Sequence, residues 1–260
     1  MRDEILKILN QIENKHNIKI IYAVESGSRG WGFASKDSDW DVRYIYIHNL
    51  DWYLQIEQQK DTQEVILPNK IDLSGWELKK ALNLFKKSNP PLLEWLSSPI
   101  VYIVEKYSTI NKLRELAQKF FNPKSSLYHY MHMAIGNYKE YLQGKDIVKL
   151  KKYLYILRPI LACDWIKETN TPAPMEFSKL VDSQVTDPNI KLEINNLVSR
   201  KISGEELGEE PAIPLLNKLI IEKIDFYSKY LPTLKYNNKV DIQLLNQIFK
   251  DTLFEAWNNF

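Results

Sequence analysis

The sequence predicts an α+β protein, with a mixed-sheet unit in residues 1–120 and an all-helical unit in residues 121–260. Runs of β-branched and aromatic residues, which are typical of strands, occur in the first part of the chain, and we find no convincing run after Ile103. From about Tyr107 the pattern is wholly helical. A chain of 260 residues is long enough to bury two modest hydrophobic cores.

Local patterns predict the individual elements. Apolar residues on one face predict a helix over residues 1–16. Ser74 with Glu77 three residues later fits a capping box, which predicts that a helix begins there. In order, the predicted elements are the first helix, strands over residues 17–24, 39–47 and 63–67 with a continuation through 70–73, a helix from Ser74 to about Ser88, and a short helix over 92–96.

Two carboxylates mark the second predicted strand. Asp39 and Asp41 are two residues apart, so their side chains point to the same face of the strand. They would repel each other unless a cation lay between them, and Mg²⁺ prefers oxygen ligands of this kind. The pair therefore predicts a metal site. Arg43 continues on the same face, where we expect it either to bind a phosphate or to balance the acidic pair.

A glycine turn precedes this strand. Gly27 permits close approach of the backbone, and free N–H groups at such a turn bind anions. Ser28 adds a hydroxyl donor and Arg29 adds a cation. A phosphate-binding turn next to a metal-binding strand suits phosphoryl transfer, because positioning and charge neutralisation supply most of its catalysis.

A third carboxylate completes the predicted site. Two-metal catalysis usually requires a further carboxylate on a neighbouring strand. Asp72, at the end of the third predicted strand, is the candidate. One metal ion would hold the triphosphate through Asp39 and Asp41, and the other would be shared with Asp72 and would activate the attacking hydroxyl.

The combined pattern resembles the DNA polymerase β-like nucleotidyltransferase superfamily, in which a Gly-Ser turn is followed by Asp-x-Asp and a later carboxylate. Longer strings resemble a branch of nucleotidyltransferases from bacteria and phages that is associated with RNA repair. These strings are Glu25-Ser-Gly-Ser-Arg-Gly-Trp-Gly-Phe33, Ser38-Asp-Trp-Asp-Val-Arg43, Asp72-Leu-Ser-Gly-Trp-Glu77 and Lys151-Lys-Tyr-Leu-Tyr-Ile-Leu-Arg-Pro-Ile-Leu-Ala-Cys163. The resemblance covers most of the chain.

The resemblance implies a polymerase β-like fold, an NTP substrate and two Mg²⁺ ions, with Mn²⁺ as an alternative. The superfamily's roles fall on Gly27, Ser28, Asp39, Asp41 and Asp72. In similar enzymes a helical domain closes the nucleotide cleft, and a Lys or Arg from it contacts the phosphates. Lys152 and Arg158 are the candidates here.

These two residues belong to a basic segment that also contains Lys145, Lys149 and Lys151, with tyrosines between the cations. Such a surface binds a triphosphate or an RNA backbone in some proteins. A solvated helix face is an equally good interpretation, and the sequence leaves both open.

The predicted reaction is transfer of a nucleoside monophosphate from an NTP to a hydroxyl acceptor, with release of pyrophosphate. An RNA 3′ end, such as that of a tRNA, is the first candidate acceptor, and a protein side chain or a small molecule is the alternative. A non-catalytic nucleotide or RNA sensor on the same fold is a different class of function that the sequence also allows.

Several neighbouring residues have simpler interpretations. We expect Trp31 and Trp40 to be packing residues, and Glu25 either to lie behind the site or to pair with Arg29. Glu77 is expected to cap a helix rather than to bind metal.

The composition restricts the classes of partner and the cellular location that we expect for this protein. A formal net charge of +2 does not favour a large polyanion-binding surface, so RNA contact would need a local basic patch. The single cysteine, the charged N-terminus and the lack of a long apolar run predict a cytosolic protein with no membrane contact. The sequence does not indicate an oligomeric state.

Overall fold

The computed structural model describes residues 1–205, 208–236 and 240–257. The chain divides into two compact units. The first contains residues 1–30, 39–120 and 238–260, and the second contains residues 31–38 and 121–237. The short segment between the glycine turn and Asp39 therefore groups with the later helical part of the chain.

The first part of the chain alternates helices and strands. Its elements are α1 (Arg2–His16), β1 (Ile18–Glu25), α2 (Gly27–Trp31), β2 (Trp40–His48), α3 (Leu50–Tyr53), β3 (Thr62–Leu67), β4 (Ile71–Glu77), α4 (Leu78–Lys86), α5 (Pro90–Ser97), β5 (Val101–Ile103) and α6 (Thr109–Phe120). The C-terminal helix α12 (Ile242–Trp257) belongs to the same unit.

The five strands form one sheet in the order β3-β4-β2-β1-β5. Strands β2 and β4 are parallel, and the other neighbouring pairs are antiparallel. This confirms the predicted α+β class with a mixed sheet. The apolar face of α1, formed by Ile5, Leu9 and Ile12, packs in one core with the buried residues of the sheet, so the periodicity that predicted this helix reflects real burial.

The region from residue 62 to 86 differs from its prediction in two ways. The third strand candidate and its continuation are two antiparallel strands, β3 and β4. The predicted capping box at Ser74 is wrong, because Ser74 lies inside β4 and Glu77 is itself the N-cap of α4, accepting from the Lys79 N–H at 2.8 Å. The parallel ladder with β2 continues to Glu77 and overrides the local helix signal.

The second unit is mainly helical. Its elements are α7 (Pro123–Tyr141), β6 (Ile147–Lys149), α8 (Lys151–Thr169), α9 (Phe177–Gln184), α10 (Pro188–Ser203), β7 (Glu209–Pro211) and α11 (Pro214–Tyr230), followed by a 3₁₀ turn at Leu231–Thr233. The expectation that strands end at Ile103 was wrong, because β6 and β7 form a short antiparallel ladder. Three residues are too few to give a periodic signal.

Within the described ranges, no helix combines the length and the apolar character of a membrane span.

Candidate active site

Strands β2 and β4 bring two of the predicted carboxylates together. Asp41 and Asp72 are Cα partners in the parallel ladder, so their side chains leave the sheet side by side. Asp39 lies one residue before β2 begins, at the entrance to the same strand. The third carboxylate predicted on a neighbouring strand therefore lies directly beside the Asp-x-Asp pair.

Arg43 links the two strands at this point. Its Nη2 lies 2.9 Å from Asp41 Oδ1 and 2.9 Å from Asp72 Oδ2. Its Nη1 donates to the backbone carbonyls of Val42 and Asp72. A guanidinium held in this way neutralises charge on both carboxylates, so Arg43 balances the acidic pair in this structure.

The electrostatics of Asp41 depend on this neighbourhood. Burial raises the pKa of the Asp41 carboxyl above its ordinary value, while the Arg43 guanidinium opposes that shift. The charges of Asp72 and Asp39 raise the same pKa further. The charges of Asp39 and Asp72 are therefore close enough to repel that of Asp41, and a cation would relieve that repulsion.

Gly27 is required by the position of Asp41. A Cβ on Gly27 would lie 1.9 Å from Asp41 Oδ2, so the Asp41 side chain or the turn would have to shift to make room for it. The backbone of Gly27 also has a φ of +54°, in the left-handed region that favours glycine. The adjacent Ser26 N–H donates to the Asp41 carbonyl at 2.8 Å. The glycine turn and the carboxylate thus form one local structure, and Ser28 is buried next to it in α2.

Arg29, in the helix that follows the glycine turn, contacts the residues at the start of β2. Its Nε donates to the Asp39 carbonyl at 3.1 Å, and its guanidinium lies 3.8 Å from the centroid of the Trp40 ring. Trp40 also packs against the core, as expected for a packing residue. The cation–π contact fixes Arg29 at the entrance of β2.

The hydrogen-bond partners of Glu25 were not predicted from the sequence. It is completely buried, and its Oε1 accepts from the Asp41 N–H at 2.9 Å while its Oε2 accepts from the Tyr102 hydroxyl. Burial is the main cause that raises its pKa to about 7. Glu25 therefore ties the end of β1 to Asp41, and Tyr102, far along the chain on β5, supplies the second donor.

The two basic residues predicted from the second unit have well-defined surroundings. Lys152 Nζ lies 3.6 Å from the centroid of the Tyr141 ring. Arg158 is 3% exposed, donates to the Met175 carbonyl at 3.2 Å, and lies 4.6 Å from the Trp31 ring centroid. Trp31 packs against Phe33 and Tyr155 in addition, so it is a packing residue of this unit.

The carboxylate oxygens of the site are the feature that bears on binding of a divalent cation. Within the part of the chain that the structure describes, no three His, Cys, Asp or Glu side chains are already arranged as a metal-binding group. The donors are nevertheless suitable, since Asp39, Asp41 and Asp72 offer carboxylate oxygens, which Mg²⁺ prefers. Arg43 lies between two of them. A bound cation would therefore compete with its guanidinium.

Comparison with known proteins gives a consistent match over the chain. The family model of RlaP, described as the RNA repair pathway DNA polymerase beta family, matches residues 1–251. The uncharacterized protein YcgL of Bacillus subtilis (strain 168) is 47% identical over 259 residues, which are 100% of this chain and 99% of that protein. A solved nucleotidyltransferase-like protein from Exiguobacterium sibiricum 255-15 aligns with 95% of this chain and 86% of its own at 12% identity and a TM-score of 0.33, too low to support any argument.

Proposed function

The chain belongs to the RNA repair pathway DNA polymerase beta family, RlaP, and from this premise we propose that it is a metal-dependent nucleotidyltransferase. It transfers a nucleoside monophosphate from an NTP to a hydroxyl acceptor and releases pyrophosphate. The acceptor hydroxyl oxygen bonds to the α-phosphorus, the bond from that phosphorus to the bridging oxygen breaks, and the hydroxyl proton is released.

One observation carries the proposal. Asp41 and Asp72 are register partners on parallel strands, and Asp39 stands one residue before the first of these strands. The three carboxylates lie at the N-terminal ends of two adjacent interior strands, and repulsion of Asp41 by the other two costs free energy. A cation site gives this arrangement a function.

The residues of the chain have distinct roles in this proposal. Asp39, Asp41 and Asp72 would hold two divalent cations, Mg²⁺ or Mn²⁺, which would supply charge neutralisation at the triphosphate and at the acceptor oxygen. Gly27 permits the Asp41 carboxylate to lie against the turn. Ser28 and Arg29 would donate to the phosphates of the NTP.

Three further basic residues are proposed as phosphate ligands. Arg43 would turn from the carboxylates to a phosphate when a cation takes its place, since both compete for Asp41 and Asp72. Lys152 and Arg158 remain predictions from the resemblance. Their contacts with Tyr141 and Trp31 hold both side chains in defined positions.

We favour RNA as the acceptor, with its 3′ hydroxyl as the attacking group. The support is the description of the family as part of an RNA repair pathway. Transfer to a protein side chain or to a small molecule uses the same site chemistry. A sensor that binds nucleotide or RNA without turnover would have the same fold but would not carry out nucleotidyl transfer.

The test is label transfer from each of the four NTPs, labelled at the α-phosphate, to total RNA, to a protein extract and to a small-molecule fraction in the presence of Mg²⁺. Label in RNA that is removed by a 3′ exonuclease supports the proposal. Label in protein or in a small molecule would instead identify that class of molecule as the acceptor. No label in any fraction and no pyrophosphate from any NTP would contradict enzymatic activity and favour the sensor.

A further inference from the structure

A cavity of about 510 Å³ lies within the second unit, formed by residues of that unit alone. Its lining includes the end of β6, the beginning of α8, the end of α10 and the segment of residues 31–38. The volume is in the range of pockets that hold small ligands. The residues assigned above to the carboxylate site do not line it.

Three lysines line this cavity. Lys149 is the last residue of β6 and Lys151 is the first residue of α8, and both side chains are exposed. Lys201 reaches the cavity from α10, with its Nζ 3.5 Å from Ser35 Oγ. Among the described residues, no carboxylate lies within ion-pair distance of Lys149 or Lys151.

Three carboxylates of the described part of the chain also line the cavity, and one of them is already paired with a cation. Glu205 lies 2.5 Å from Arg200 Nη2 in an ion pair. Among the described residues, the other lining charges are the three lysines, Asp37 and Glu209, which together leave one positive charge in excess. A ligand attracted to this cavity by charge is therefore an anion.

The location of Lys151 strengthens this conclusion. Basic side chains in the first turn of a helix are disfavoured by the helix dipole. The first turn of α8 nevertheless contains no acidic residue, and its N-cap Leu150 makes no side-chain hydrogen bond. A bound anion would offset the repulsion between Lys151 and the dipole of α8.

We propose that the cavity is a phosphate-binding site, in which Lys149 and Lys151 bind the phosphate oxygens, with Lys201 and the Ser35 hydroxyl at the far side. Lysine suits this role because it is a compact charge with three donors. The phosphate is carried by an RNA strand or by a free nucleotide. This site is separate from the proposed nucleotidyl transfer chemistry, so either can fail without the other.

The lysines of the basic segment, which the sequence allowed either to bind phosphate or to form a solvated face, have different surroundings. Lys149 and Lys151 line the cavity, whereas the Lys152 ammonium lies over the Tyr141 ring. The cavity also includes Ser35 and Asp37, which precede Asp39 in the chain by four and two residues. The segment that leads into β2 therefore contributes to the phosphate site.

The test compares two double variants with the same change in charge. Lys149→Gln/Lys151→Gln removes the proposed ligands, and Lys218→Gln/Lys229→Gln removes two exposed lysines of α11 in the same unit. Binding of a fluorescent 12-nucleotide RNA and of a fluorescent ATP analogue is measured by anisotropy in EDTA, so that metal-dependent binding at the carboxylates is silent. Matching circular dichroism spectra and melting temperatures establish that both variants are folded.

We expect the Lys149/Lys151 variant to bind at least one probe tenfold more weakly, and the α11 variant to change by less than twofold. A loss for RNA alone identifies a strand phosphate, and a loss for the ATP analogue identifies a nucleotide phosphate. Lys149→Arg/Lys151→Arg retains the charges and should retain binding. Equal losses in both glutamine variants, or no loss in either, would overturn the proposal.

Discussion

Asp41 and Asp72 are register partners across parallel strands, and one nitrogen of Arg43 lies 2.9 Å from a carboxylate oxygen of each. The strand pairing alone would place two negative charges side by side. The guanidinium of Arg43 compensates them, and it occupies the position where a cation would also be most favourable. If the site binds metal as proposed, its apparent affinity would include the free energy of displacing Arg43.

Replacing Arg43 should make the protein more dependent on divalent cations. In Arg43→Gln the two carboxylates lose their partner, so we expect the melting temperature in EDTA to fall by a few degrees. Mg²⁺ should then raise it more than in the native chain, because the cation no longer competes with the guanidinium. Thermal unfolding with and without Mg²⁺ measures this. Lys80→Gln, which removes an exposed ion pair to Asp61, is the control, and an equal response to Mg²⁺ in all three proteins would contradict the competition.

Because Gly27 lies against Asp41, a methyl group added at Gly27 should weaken metal binding more than a methyl group added at Gly32. Gly27 and Gly32 both have positive φ, so alanine at either should cost about 1–2 kcal/mol of stability. A Cβ at Gly27 collides with Asp41 Oδ2, whereas a Cβ at Gly32 meets no atom within 4 Å. We expect Mn²⁺ affinity, measured by calorimetry, to fall at least tenfold in Gly27→Ala and less than twofold in Gly32→Ala. Similar losses in both variants would show that the collision is not important.

The Tyr102 hydroxyl should contribute to stability through Glu25. At pH 8, above the pKa of about 7 to which burial raises Glu25, Tyr102→Phe leaves a buried carboxylate oxygen without this donor. We expect a loss of about 1–3 kcal/mol in the free energy of unfolding by urea. Tyr107→Phe is the control, since the Tyr107 hydroxyl has no hydrogen-bond partner among the described residues. A loss for Tyr102→Phe no larger than for this control would mean that the hydrogen bond is unimportant.

His48 should make stability depend on pH. Burial lowers the pKa of His48 to about 4, and its ring stacks on Trp52 at 4.0 Å. The unfolded chain, with a His pKa of about 6.5, then binds more protons than the folded chain between pH 6.5 and 4. Stability relative to His48→Phe should be constant above pH 6.5 and should decrease as the pH falls towards 4. Urea unfolding at a series of pH values measures this, and parallel curves for the two proteins would contradict it.

Much of the fold could be predicted because its signals are local. The apolar face of α1 and the β-branched runs of β1 and β2 determine these elements by short-range periodicity. The strand predicted to begin at Asp39 corresponds to β2, which begins one residue later at Trp40. The expectation that Asp72 lies on a neighbouring strand came instead from the third carboxylate that two-metal catalysis usually requires.

The features that could not be predicted depend on contacts between distant residues. Glu25 meets Tyr102 only because β5 pairs with β1. Ser74 fits a helix cap locally but lies in a strand, because the ladder with β2 extends past it. The close approach of Gly27 to Asp41 depends on the path of the turn, which no local pattern encodes. Tertiary pairing decides each of these cases.

Pyrophosphate release shows whether Asp41 and Asp72 form a catalytic cation site. Asp41→Asn and Asp72→Asn are compared with Asp61→Asn, which alters an exposed carboxylate paired with Lys80 in the same unit. With NTPs, RNA and Mg²⁺, we predict that the native chain and Asp61→Asn release pyrophosphate at similar rates. Each of the other two variants should be slower by at least 100-fold, about 2.7 kcal/mol in activation free energy, while remaining folded. Native rates in Asp41→Asn and Asp72→Asn would contradict the claim.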